Sequence, residues 1–273
     1  MSRTALSKQF PVLAPLIKET KISLKSAQTI TPNYAVKKDS TITKVHRIYK
    51  HKSVLRRKLG DSDPVLQERK VYNLGIAAEA FDGIVIKPGQ TFSFWRVLKR
   101  PTYKRGFVDG MLISDGKAVS GLGGGLCQMA NLLYWMFLHS PLEIVEHHHH
   151  SVDLFPDSGR VLPFGSGASV FYNYIDLQIK NTTSQNIILH TSLDDAFLHG
   201  SIWMDDVHPF SYSVKEEEHY FYKKGDQVYR TNKLYKVTRQ EPGGIEIAKE
   251  LITHNDSKVL YEVEPEKLTY ILD

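Results

Sequence analysis

Cysteine is nearly missing from this chain: Cys127 is the only one in 273 residues. A single cysteine cannot form an intrachain disulfide, so the fold does not need an oxidising compartment. Long apolar runs are missing as well. No stretch of about 18 apolar residues occurs, which argues against a membrane-spanning helix. The segment Met1 to Lys18 carries Arg3, Lys8 and a short apolar run from Phe10 to Ile17, interrupted by Pro11 and Pro15. No small-residue cleavage site follows, so it makes a poor signal peptide and the expected location is cytoplasmic. Nucleic-acid-binding motifs are absent, and so are internal repeats. Low complexity is confined to His147, His148, His149 and His150.

What is present suits a globular protein. Hydrophobic residues make up 41% and charged residues 24%, ordinary values for a chain able to bury its own core. Fourteen Tyr and twelve Phe favour β-rich structure with large buried side chains. The formal charge is +5, and much of it is concentrated. Lys37, Lys38, Lys44, Arg47, Lys50, Lys52, Arg56, Arg57 and Lys58 are offset by Asp39 alone. Such a strip attracts anions, although a solvated face is the plainer reading.

Periodicity predicts a helix from Pro64 to Ala80, with Asp82-Gly83 ending it. Strands are expected at Ile84 to Ile86 and Thr91 to Trp95, with a turn at Lys87-Pro88-Gly89-Gln90 between them. Cys127 to His139 lacks Gly and Pro and is apolar nearly all round, the pattern of a buried central helix. Strands follow at Leu142 to Val145, Val170 to Ile179, Ile187 to His190 and Leu198 to Met204. Shorter ones are expected in the tail at His219 to Tyr222, Val228-Tyr229, Leu234 to Val237 and Val259 to Tyr261. The fold class is α+β, a buried central helix on an antiparallel sheet. Three regions are expected: a helical and basic N-terminal region 1–63, a core 64–210 that holds the Gly123 to Gln128 site, and a β-rich extension 211–273.

The chemistry concentrates around Cys127. Gly123, Gly124 and Gly125 precede its helix, so the backbone there turns sharply or passes close to something. In the first turn of a helix, free N–H groups and the dipole lower a thiol pKa. Those N–H groups, with Gly124, Gly125 and the Gln128 amide, form a candidate oxyanion hole. A thiolate nucleophile is commonly paired with a histidine, itself oriented by a third group. His150 is the preferred base, His148 the second, and Asp176 the candidate orienter. In a strand His148 and His150 share one face, with His147 and His149 on the other. The order of cysteine helix, histidine strand and acidic strand is similar to that of papain-like and transglutaminase-like hydrolases. Two plainer readings stand beside this. A lone Cys in an apolar helix is commonly a small buried hydrophobe. The histidine run with Cys127 is also a possible three-ligand zinc site with an open position.

Taken together, these segments resemble the VanW family of bacterial cell-wall-associated proteins. The matching elements are Lys87 to Phe94, Asp115-Gly116, Gly123 to Gln128, Leu142 to Glu146 with its His148/His150 pair, Ala168-Ser169-Val170, and Ile175-Asp176-Leu177 with Asn181. The resemblance covers roughly residues 70–205. It implies a link to glycopeptide resistance and, through some secreted members, a cysteine L,D-transpeptidase acting on peptidoglycan. Cys127 and His148 or His150 correspond to the motif positions. One departure stands out: many members have Asp just before the Ala-Thr-Val-like element, where this chain has Gly167. Three functions follow as expectations. The first is a cysteine acyltransferase or amidase acting on peptidoglycan stem peptides or precursors, with no cofactor. The second is a non-catalytic accessory protein binding precursors or resistance enzymes. The third is a histidine-centred metal hydrolase.

Overall fold

The computed structural model describes residues 20, 33–56, 63–114, 117–149, 152–153, 156–157, 161–172 and 174–272. Strands β1 (Tyr34–Ala35) and β2 (His46–Val54) come first. Helix α1 (Pro64–Phe81) follows, its start fixed by Asp63, whose carboxylate accepts the Val65 N–H, and by Pro64 in the first turn. Strands β3 (Val85–Ile86) and β4 (Thr91–Ser93) lead into a short helix α2 (Phe94–Leu98). The strand expected to run on to Trp95 stops two residues early for a local reason. The Ser93 hydroxyl accepts the Arg96 N–H at 3.1 Å, and Asp176 accepts the Trp95 N–H at 3.2 Å, so the chain is capped into a helix.

A hairpin of β5 (Asp109–Ser114) and β6 (Lys117–Leu122) precedes α3 (Leu126–Leu138). β7 (Glu143–Glu146), β8 (Val152–Asp153) and β9 (Gln178–Lys180) come next. Most of the expected strand Val170 to Ile179 is instead a tight turn in which Phe171 and Ile175 exchange backbone bonds at 2.8 and 2.9 Å. β10 (Ile187–Leu193) and β11 (Phe197–Met204) form a hairpin. The chain closes with three long strands, β12 (Phe210–Lys224), β13 (Gln227–Gln240) and β14 (Ile245–Val259), and with β15 (Leu268–Leu272).

The architecture is α+β. Among the described residues the sheets run β1-β4-β9-β7, β2-β11-β10-β3 and β15-β12-β13-β14-β8, beside the β5-β6 hairpin. α3 occupies the centre, and nearly every residue along it is buried, as its unbroken apolar sequence requires. It lies on the antiparallel sheet β2-β11-β10-β3 at Gly200, where a Cβ would come 2.6 Å from the end of Met136. On another side Phe137 packs on Phe92 of β4 with ring centroids 5.3 Å apart.

β1 and β2, placed by sequence in a separate N-terminal region, pair with β4 and β11 of the core. The C-terminal sheet is stitched to the core as well. Arg230 of β13 is buried between the rings of Phe164 and Phe221 and paired with Asp153 and Asp157. β8 adds to the edge of β14. No helix among the described residues is long and apolar enough to cross a membrane.

Candidate active site at the head of the central helix

The three glycines are required by close packing. Gly125 caps α3 with φ +103°, a left-handed conformation, and a Cβ there would strike the Lys70 side chain. Gly124 lies against the Gly110 backbone with no room for a Cβ. Asn73 of α1 ties this turn to its surroundings. Its amide donates to the Gly124 carbonyl at 2.9 Å and to the Val108 carbonyl at 3.0 Å, and its oxygen accepts the Val108 N–H. Asn73 and Lys70 carry no signal that sequence reading could have used.

Both Gln128 donors expected at an oxyanion hole are engaged within the fold. Its N–H donates to the Gly125 carbonyl at 2.9 Å, closing the first turn. Its side-chain amide donates to Ser53 Oγ and the Val54 carbonyl, fastening α3 to β2. Gly124 and Gly125 shape the turn in which the Cys127 N–H sits.

Cys127 is the second residue of α3, and Asn131 and Tyr134 follow on the same helix face. That face looks onto the strip 167–170. The Cys127 thiol points to the Val170 carbonyl at 4.0 Å. Asn131 Oδ1 accepts the Ala168 N–H at 2.6 Å. His147 stacks on Tyr134 with centroids 3.8 Å apart, and its Nε2 bonds the Gly167 carbonyl at 2.8 Å. The His148 carbonyl then accepts the Ser169 N–H. The contacts of His147 and His148 thus step from Gly167 to Ser169, next to the Val170 carbonyl that meets Cys127. Ser169 Oγ in this strip is buried without a hydrogen-bond partner among the described residues.

The expected face assignment of the histidines is reversed. His147 faces α3, with His149 stacked behind it at 6.0 Å, while His148 turns to Glu146 at 3.1 Å. The Tyr134 ring and the Gly167 carbonyl capture His147 just where β7 ends. Burial pushes the His147 pKa down to about 4, so its ring is neutral at pH 7. His150, the preferred base, lies outside the described residues.

Asp176 also departs from expectation. It is buried and bonded to the Ser93 hydroxyl at 2.6 Å and to the backbone N–H groups of Trp95 and Leu177. Its carboxylate therefore anchors the start of α2. Burial raises its pKa against the lowering effect of these bonds. It reaches His148 only through Glu146, which accepts the Asp176 N–H at 3.1 Å and the Gln178 amide at 3.0 Å. Glu146 is the carboxylate that sequence reading missed.

The thiol itself is a further correction. Burial raises the Cys127 pKa, and the Val170 carbonyl offsets this only in part. Cys127 rests as a thiol, and neither His148 nor Asp176 lies within bonding distance of it. Among the described residues no group of three or more His, Cys, Asp or Glu is placed to hold a metal ion.

The order of these parts matches a known family. A family model described as "VanW like protein" matches residues 69–203, from α1 through β11. The chain belongs to the VanW family. It is 29% identical over 262 residues to the "Vancomycin B-type resistance protein VanW" of Enterococcus faecalis, covering 96% of this chain and 95% of that one. It is 30% identical over 118 residues to the "Uncharacterized protein YoaR" of Bacillus subtilis, covering 43% of this chain and 37% of that one. No solved structure matches. The VanW-family departure at Gly167 has a visible counterpart: the Gly167 carbonyl holds His147, and a Cβ there would press on Asn131 at 3.2 Å.

Proposed function

We propose that this VanW-family chain is a cysteine acyltransferase or amidase, L,D-transpeptidase-like, acting on peptidoglycan stem peptides or their precursors. The observation that carries this is the placement of Cys127. It stands at the head of a buried helix, partly exposed, on the face that meets the histidine-bordered strip 167–170. The resemblance in order to papain-like and transglutaminase-like hydrolases finds support in α3 lying on an antiparallel sheet. Because burial keeps the sulfur protonated, a base must take its proton as it attacks the peptide carbonyl. His150 is the proposed base, as the sequence reading prefers it, with His148, whose carbonyl accepts the Ser169 N–H and whose ring Glu146 holds, second. The base returns the proton to the leaving amine, and water or a second amine then releases the acyl group from sulfur.

The Cys127 N–H donates to no described residue and is one proposed oxyanion donor. The Asn131 amide is the other. Its oxygen is fixed by the Ala168 N–H, and Asn131 lies one turn along α3 on the same helix face as Cys127, which leaves its NH2 group as the proposed donor. A binding role without chemistry is the second reading, favoured by the raised thiol and by the absence of a histidine bonded to it among the described residues. Incubation with synthetic stem peptides, acid quench and intact-mass measurement separates the two. An acyl adduct on Cys127, with turnover lowered about a thousandfold or more in Cys127→Ala, is the expected result. Peptide binding that survives in Cys127→Ala with no turnover by the native protein would favour the accessory role.

A further inference from the structure

The basic strip seen in the sequence divides in the folded chain. Arg56 forms a two-bond pair with Glu68 and also binds the Asp195 carbonyl, and Lys38 binds the Glu79 carbonyl. Arg47, Lys50 and Lys52 have no acidic partner among the described residues. All three project from one face of β2. The pairing register puts Lys50 opposite Ser201, Lys52 opposite His199, and, beyond a bulge, Arg47 opposite Trp203. The alternate residues, Tyr49 and His51, pair with Ile202 and Gly200 on the face toward α3. The cations therefore share the outer face of the sheet, away from the helix.

Two aromatic rings lie among them. Arg47 sits over Trp203 at 5.4 Å and Lys52 over Phe197 at 4.0 Å. Lys44 precedes the strand and is exposed. The carboxylates nearest this face are Asp82, bonded to His190, and Asp194, bonded to His199. The face thus carries a row of exposed cations interleaved with half-exposed aromatic rings.

We propose that this outer face docks on an anionic phospholipid membrane. Charge complementarity favours an anionic occupant. The spacing of the cations along β2 favours an extended surface over a small ligand. A nucleotide diphosphate would need donors converging on two adjacent phosphates, whereas Arg47, Lys50 and Lys52 are spread over roughly 17 Å of strand. Lys and Arg near an anionic bilayer each add attraction, and Trp at such an interface sits at headgroup level. The surface is independent of the Cys127 chemistry, since it lies on the opposite face of the sheet from α3.

Sedimentation of the full chain with phosphatidylcholine vesicles, with and without phosphatidylglycerol, tests this. Binding is expected only with phosphatidylglycerol, and it should weaken as salt rises. Each of Arg47→Gln, Lys50→Gln and Lys52→Gln should weaken it about fivefold. Lys50→Glu is the cleanest variant, because Lys50 makes no ion pair or ring contact among the described residues and its loss should leave the fold intact. Lys224→Gln, at the far tip of the β12–β13 hairpin, should bind like the native chain. Failure to sediment, equal binding to neutral vesicles, or unaltered binding by Lys50→Glu would overturn the proposal. So would charge-dependent capture of duplex DNA without vesicle binding.

Discussion

At the scale of single residues, Asn131 is the most informative side chain beside Cys127. Its oxygen accepts the Ala168 N–H at 2.6 Å, which leaves only its NH2 group for a substrate carbonyl. Asn131→Asp keeps the acceptor and removes the donor. Turnover of a stem peptide should fall about a hundredfold to a thousandfold with thermal stability nearly unchanged, a loss typical of one oxyanion donor. Asn131→Ala should lose stability as well, because the Ala168 N–H is left unpaired. Equal activity of Asn131→Asp and the native chain would remove Asn131 from the reaction. The residues already singled out fare unevenly. Cys127 stands where the glycine-rich turn implied, whereas Gln128 and Asp176 are structural fasteners. Their partners, Ser53, Val54, Ser93 and Trp95, are distant in sequence, and no local pattern announces such bonds.

At the scale of elements, helices were the most legible. α1 has an Asp-Pro start and an Asp-Gly end, and α3 has glycines before it and Ser-Pro after it, so both boundaries are marked by local chemistry. Strands were less so. β14 was missed because most of its residues are exposed on both faces, which erases the alternation that betrays a strand. The turn closed by Phe171 and Ile175 has a strand-like sequence, because its aromatic and β-branched residues are good strand formers and the closing backbone bonds leave no signature. The glycine turn before α3 makes a sharp prediction. Gly124→Ala would drive a methyl group into the Gly110 backbone, which has no side chain to swing aside. Its melting temperature should drop well below that of Gly75→Ala, where nothing lies within 4 Å. Similar melting of the two would mean that the turn is loosely packed.

At the scale of the whole molecule, α3 is the organising element, touching β2, β11, α1 and the C-terminal sheet. Sequence periodicity foresaw this helix and the α+β class but not the joining of the tail to the core. That joining depends on Arg230 with Asp153 and Asp157, and on the Lys236 ammonium bonded to the Leu142 carbonyl, all contacts between residues far apart in the chain. Burial at the head of α3, against the Val170 strip, raises the thiol pKa. Cys127 as a nucleophile activated by a histidine is tested most directly by the rate of its alkylation with iodoacetamide in the native chain, measured against pH. The expected profile rises through an inflection above the free-thiol value of about 8.5, with a neutral-pH rate that falls several-fold in His150→Ala or His148→Ala. A thiol that stays silent until the protein unfolds, or one whose rate ignores every histidine of the run, would contradict a catalytic Cys127.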